Sequence, residues 1–138
     1  MNWPLVLRLS LFGLAMGICP VFFVPSTVEP LLWLAVFIAC AYLVGKAAVM
    51  RPFLHGLAIG IVNSVWVTGT HVLLFAQYIT RHPREMEMMA TMPLANHPRL
   101  MMLVTGPIIG VISGIIIGAF CAFAARLMRS RALPAPAA

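Results

Sequence analysis

Four long apolar runs constrain this chain more than any other feature of its sequence. Each has roughly the 20 mostly apolar residues that an α-helix needs to cross the hydrocarbon core of a bilayer, and short segments rich in polar residues and prolines separate the runs. Consecutive spans joined by short loops cross a membrane in alternate directions. We therefore predict an all-α membrane protein, an antiparallel four-helix transmembrane bundle with spans at about 4–24, 30–50, 53–79 and 100–125.

The composition agrees with lipid as the main solvent and the lipid bilayer as the first partner. Hydrophobic residues make up 62% of the chain and charged residues only 9%, whereas a soluble domain carries about 25% charged residues. So few polar side chains cannot cover a water-soluble globule. The 138 residues form one domain, which we place at 1–131, followed by a tail at 132–138 that is predicted to be disordered because it contains little besides alanine and proline.

The basic residues predict the orientation of the spans. Six of the nine fall on one side of the predicted topology and three on the other, in the loop at 80–99. The positive-inside rule places the richer side in the cytoplasm, and with it both termini. The basic residues form no stripe with interleaved aromatic residues, so we expect no nucleic-acid partner. The small size and the absence of eukaryotic signals favour a multi-pass protein of a bacterial inner membrane.

The loop at 80–99 is the only sizeable segment predicted outside the membrane. Pro83 stands where a first helical residue would, and Glu85 and Glu87 follow it in the first turn, where negative charge favours a helix N-terminus. We predict a short helix that lies at the outer membrane interface and ends in a turn near Pro93.

Glycines recur every fourth residue on two of the spans, in a glycine-zipper pattern. In lipid, small residues let two helix backbones approach closely, and packing replaces the missing hydrophobic driving force. The first span repeats this spacing once, at Gly13 and Gly17. The predicted packing residues of the third and fourth spans are Gly56, Gly60, Gly106, Gly110, Gly114 and Gly118.

Polar residues of the third span gather on a little over one third of its helical wheel. We expect this face to pack against the glycines of the fourth span, with Asn63 near backbone carbonyls or Ser113, because an unsatisfied polar group in hydrocarbon costs several kcal/mol. Two interpretations remain open: the residues are hydrogen-bonding packing contacts, or they line a path for a solute. The face consists of Asn63, Ser64, Thr70, His71, Gln77 and Tyr78.

His71 is the one ionisable residue predicted to lie well inside a span, since Arg8 and His55 are close enough to the inner boundary to reach water. An ionisable residue within the membrane is a functional candidate. It is either a neutral imidazole bonded to a neighbouring helix, or a proton relay or ligand.

Methionines and histidines of the 80–99 loop are candidate copper ligands. Thioether and imidazole groups are soft donors that select Cu(I). Methionine is equally suited to the apolar face of an interfacial helix, and histidine before proline to a helix cap. The candidate set is His82, Met86, Met88, Met89, Met92 and His97.

Cys19, Cys40 and Cys121 each stand within an apolar run, at depths that we predict to differ. We interpret them as small packing residues rather than as a disulfide or a metal site.

No set of nucleophile, base and acid is visible in the sequence, so we expect no enzyme activity. Three hypotheses follow. The first is a non-catalytic accessory or self-associating subunit, with a second copy or other membrane subunits as partners. The second is a small transporter of a solute, proton or metal that uses the polar face of the third span. The third is a membrane protein that binds Cu(I) at its outer face.

Overall fold

The computed structural model describes residues 1–132, and all the regular structure within them is helical. Four helices are long and apolar enough to cross a membrane, which confirms the prediction of an all-helical chain with four candidate membrane-spanning helices. The predicted disordered tail lies, from residue 133 onward, outside the described residues. The helices are α1 (Trp3–Phe22), α2 (Glu29–Lys46), α3 (Pro52–Leu73), α4 (Phe75–Arg81), α5 (Pro83–Ala90) and α6 (Pro98–Ala132).

Prolines mark the starts of five helices. Proline at a first helical position loses no helical hydrogen bond, because the first N–H groups of a helix have no partner within it, and its fixed φ suits the helix. The short helix expected from Pro83 is present as α5 and is followed by turns around Pro93. The five prolines are Pro4, Pro30, Pro52, Pro83 and Pro98.

The third predicted span is broken. We expected one helix over 53–79, but α3 ends at Leu73 and α4 begins at Phe75. Leu74 has φ −99° and ψ 28°, and its N–H still donates to the Thr70 carbonyl at 2.8 Å. Neither proline nor glycine stands at the break, so the sequence carries no local signal for it.

The fourth predicted span is longer than expected. It was placed at about 100–125, whereas α6 runs for 35 residues through Pro107. At 1.5 Å per residue α6 is about 52 Å long, compared with a hydrocarbon core of about 30 Å. Its basic C-terminal turns therefore reach beyond the apolar stretch.

The predicted glycine contact joins α3 to α6. A Cβ added to Gly56 would lie 2.6 Å from the Cα of Gly118, and one added to Gly60 would overlap the Cα of Gly114. Further along α3, the side chain of Ser64 contacts Gly110 and that of Thr68 contacts Gly106, two more of the regularly spaced glycines of α6. The partner numbers fall on α6 as they rise on α3, so the two helices run past each other in opposite residue order.

The other long helices pack on this pair. The helix α1 lies against α3, and α2 lies mainly against α6. One core cluster contains both Cys40 and Cys121. Our expectation that these two cysteines lie at different depths was therefore wrong, because α2 and α6 bring them to the same level; both are free thiols. A second, smaller cluster contains Val21, Phe75 and Met102.

Adding a methyl group at the α3–α6 contact should destabilise the fold. We expect Gly60→Ala to lower the free energy of unfolding by about 1–3 kcal/mol, since the new Cβ meets backbone that cannot move aside cheaply. Gly69 on the same helix is the matched control, because a Cβ there meets no atom within 4 Å. Unfolding of the purified protein in detergent, followed by circular dichroism, would measure both, and equal stability of the two variants would contradict the contact.

Candidate functional site

The polar face of the third span divides between two neighbouring helices. Ser64 contacts Gly110 of α6, as expected, but Asn63 faces Gly13 of α1, whose added Cβ would lie 2.6 Å from Asn63 Oδ1. Thr70 similarly contacts Gly17 of α1. The expectation that the whole face packs on α6 was wrong, because α3 lies between α1 and α6 and turns part of that arc to each.

Two of the predicted polar residues lie beyond the break at Leu74. Gln77 is exposed on α4 and takes no part in a buried polar face. Tyr78 is buried, and its ring stacks on that of His71 with centroids 4.1 Å apart. Of the predicted polar residues near the break, His71 and Tyr78 therefore remain in contact, as stacked rings that join α3 to α4.

His82 extends this stack and connects it to α2. Its ring lies 4.3 Å from that of Tyr78, nearly parallel, and its side chain is 0% exposed. Its Nδ1 lies 3.0 Å from the Tyr78 carbonyl, which can only accept, so Nδ1 carries the proton. The Nε2 then faces Glu29 Oε2 at 3.7 Å, while the indole N–H of Trp33 donates to Glu29 Oε1 at 3.3 Å.

A cavity of about 910 Å³ lies beside this assembly. Its wall comes mainly from α2, α3, α5 and α6 and includes His71 of α3 and Tyr78 of α4. One end, which we call the acidic end, is defined by Glu29 and Glu85. The far end reaches the ring of Phe120. The cavity is mostly apolar with a few polar groups, a composition typical of sites for small molecules.

Several buried polar atoms that belong to residues of the cavity wall have no hydrogen-bond partner within the described chain. They are both amide atoms of Asn63, the Nε2 of His71 and the Oε2 of Glu85. Asn63 is 3% exposed and His71 8% exposed. Leaving such a buried group unpaired costs about 1–3 kcal/mol, so the lack of a partner for each one within the described chain needs an explanation.

The candidate copper ligands are not brought together as one set. Met88, Met89 and Met92 line the cavity, but Met86 and His97 are exposed and do not. His82 is enclosed by its stack and lies outside the cavity wall. Within residues 1–132, no group of three or more His, Cys, Asp or Glu side chains could hold a metal ion. Three of the predicted thioethers therefore line one cavity, and neither of the predicted imidazoles does.

His55 has a structural role that the sequence did not indicate. We expected it near water at the inner boundary, but it is 4% exposed. Its Nε2 accepts the backbone N–H of Asn2 at 2.9 Å, and its Nδ1 donates to the Arg51 carbonyl at 2.8 Å. It joins the start of α1 to the start of α3. The Glu29–His82 contact was also missed, since residues so far apart in the chain share no local pattern.

Comparison of this chain with protein-family models, with curated proteins and with solved structures finds no match.

Asn63 separates the two interpretations of the polar face. If its amide serves a solute rather than helix packing, Asn63→Leu should raise the stability of the solute-free protein by about 1 kcal/mol, because an isosteric apolar side chain removes an unpaired buried amide. Ser10→Ala is the control, since Ser10 is buried with both roles filled: it donates to Leu7 and accepts from Trp66. Ser10→Ala should be destabilising. A comparable loss in both variants, measured by unfolding in detergent, would favour packing.

Proposed function

We propose that this protein is a non-catalytic membrane carrier that binds a small solute in the cavity among α2, α3, α5 and α6. The observation that supports the proposal is that residues of two helices, Asn63 and His71 on α3 and Glu85 on α5, line one cavity and carry buried polar atoms without a partner. Asn63, His71 and Glu85 offer an amide, an imidazole and a carboxylate, which suffice to hold and orient a solute by hydrogen bonds. A carrier with only four spans is expected to work as a homodimer.

The proposal includes a topology. The chain forms an antiparallel four-helix bundle with both termini in the cytoplasm, and α5 lies at the outer membrane interface of a bacterial inner membrane. The opposite residue order of α3 and α6 supports the antiparallel arrangement, and the six-to-three division of basic residues supports the orientation. On α5, Met86 is exposed while Glu85 turns inward, as an interfacial helix requires.

The rival hypotheses have weaker support. A self-associating or accessory subunit was inferred from the glycine surfaces, and the structure uses those surfaces within the chain, between α3 and α6 and between α3 and α1. The copper hypothesis is weakened because Met88, Met89 and Met92 line the cavity, whereas the imidazoles of His82 and His97 do not. A solute carrier accounts for the same methionines as flexible apolar wall.

Filling the cavity should abolish solute binding. Ser113 lies on the cavity wall of α6, so Ser113→Phe places a ring in the cavity. We expect saturable binding to the wild-type protein in lipid nanodiscs of at least one of three probes of similar shape: tetraphenylphosphonium, triphenylphosphine oxide or tetraphenylborate. Ser113→Phe should weaken that binding at least about tenfold, the effect of losing roughly 1.4 kcal/mol.

The control places the same ring on the other side of α6. Val111 is 46% exposed and is not part of the cavity wall, so Val111→Phe should leave binding unchanged. Equilibrium dialysis, corrected with empty nanodiscs, measures each probe. If no probe binds saturably, or if both variants bind as the wild type does, the cavity is not a solute site.

A further inference from the structure

The charge of the cavity is opposite to that of the chain. The protein has nine Lys and Arg residues and only three acidic residues. Two of those three acids, Glu29 and Glu85, line the cavity, and no lysine or arginine among the described residues does. The site is therefore negative in a protein whose formal net charge is +6.

Glu85 is the carboxylate that lacks a counter-charge. Its Oε2 is buried and accepts no hydrogen bond from the described chain. The neighbouring Arg84 is exposed, and Arg99 lies over the ring of Phe75, 5.4 Å from its centroid. Glu85 as a whole is half-buried, so only this one oxygen lacks a partner, and an arriving cation would supply one.

Glu29 also lines the acidic end, and both of its carboxylate oxygens have a neighbouring group within the chain. Its Oε1 accepts the indole N–H of Trp33, and its Oε2 lies 3.7 Å from the Nε2 of His82. His82 therefore contacts both Glu29 and, through Nδ1–H, the Tyr78 carbonyl, and it lies outside the cavity wall. Two carboxylates thus line one cavity whose described wall includes no lysine or arginine.

An aromatic ring stands beside these carboxylates. Trp33 lines the cavity and is held by its bond to Glu29. Indole is the best aromatic partner for a cation. The Tyr78 ring has both faces covered, by His71 and His82, and so cannot stack on a solute. Trp33 is the ring available at the acidic end.

The remainder of the wall suits an apolar body. Phe37 and Phe120 pack edge to face at 6.5 Å on the far side. Met89, Met101 and Met102 add flexible thioether surface, which adapts to solutes of different shape. A small inorganic cation would leave this apolar volume unfilled.

We propose, on the basis of the carrier function above, that the solute is an amphipathic organic cation. Its charged nitrogen or phosphorus centre pairs with Glu85 and Glu29 over the indole of Trp33. Its apolar part extends towards Phe37 and Phe120, and a polar substituent, where the solute has one, bonds to Asn63 or His71.

Removing the charge of Glu85 without changing its shape tests this inference. Glu85→Gln should weaken tetraphenylphosphonium binding at least about tenfold, since loss of one member of a buried charge pair acts mainly on affinity. Binding of the uncharged triphenylphosphine oxide should stay within about twofold by the same reasoning. Glu87→Gln is the matched control on α5, because Glu87 is exposed and lies outside the cavity wall. Wild type should prefer tetraphenylphosphonium over tetraphenylborate.

The outcomes separate this inference from the proposed function. If triphenylphosphine oxide or tetraphenylborate binds as well as tetraphenylphosphonium, and Ser113→Phe weakens that binding, the cavity is a solute site but cation selectivity is refuted. If Glu85→Gln weakens all three probes equally, its role is structural and the inference is overturned. If no probe binds saturably, both proposals fail. Circular dichroism of Glu85→Gln confirms that the comparison is made on folded protein.

Discussion

The close approach of α3 to α6 is the contact on which the rest of the arrangement depends. Two glycines on each helix, Gly56 and Gly60 against Gly118 and Gly114, leave no room for a Cβ, so the backbones meet directly. In lipid this packing replaces the hydrophobic force that would hold soluble helices together. It sets the register of the pair and leaves the opposite side of α3 free for α1. Because α2 then rests mainly on α6, a gap remains between α2 and α3, and the cavity lies there.

The hydrogen bonding of buried polar groups differs between the helix contacts away from the cavity and the cavity wall. Two buried polar groups away from the cavity are fully paired: Ser10 with Leu7 and Trp66, and His55 with Asn2 and Arg51. At the cavity Trp33 and Glu29 bond to each other, but the amide of Asn63 has neither a donor nor an acceptor. Helix packing that satisfied every group would have been more stable, and local departures of this kind are expected where function competes with stability. This contrast is the physical basis of the solute-binding proposal.

The end of the molecule near Glu29 is organised by stacked rings rather than by a regular helix. The break at Leu74 separates α4 from α3, and Tyr78 then lies between His71 and His82. His82 reaches across to Glu29, which Trp33 also contacts. These contacts hold the first turn of α2 close to the start of α5, so Glu29 and Glu85 line the same cavity. The negative charge of the site is thus a consequence of how the short helices are folded over its end.

Local features of the sequence determined the class of the fold, the four apolar helices, their proline starts, the short helix from Pro83 and the glycine surfaces of α3 and α6. Hydropathy, backbone preferences and helical spacing act over a few turns, so a single sequence records them. Only the tertiary structure decided how the polar face is divided between α1 and α6 and which residues meet across the helices. Examples are Cys40 and Cys121, which lie in one core cluster, and Glu29, which contacts His82. A helical wheel gives the angle at which Asn63 points but not which neighbour lies at that angle. That choice depends on the packing of all the helices at once, which no local pattern records.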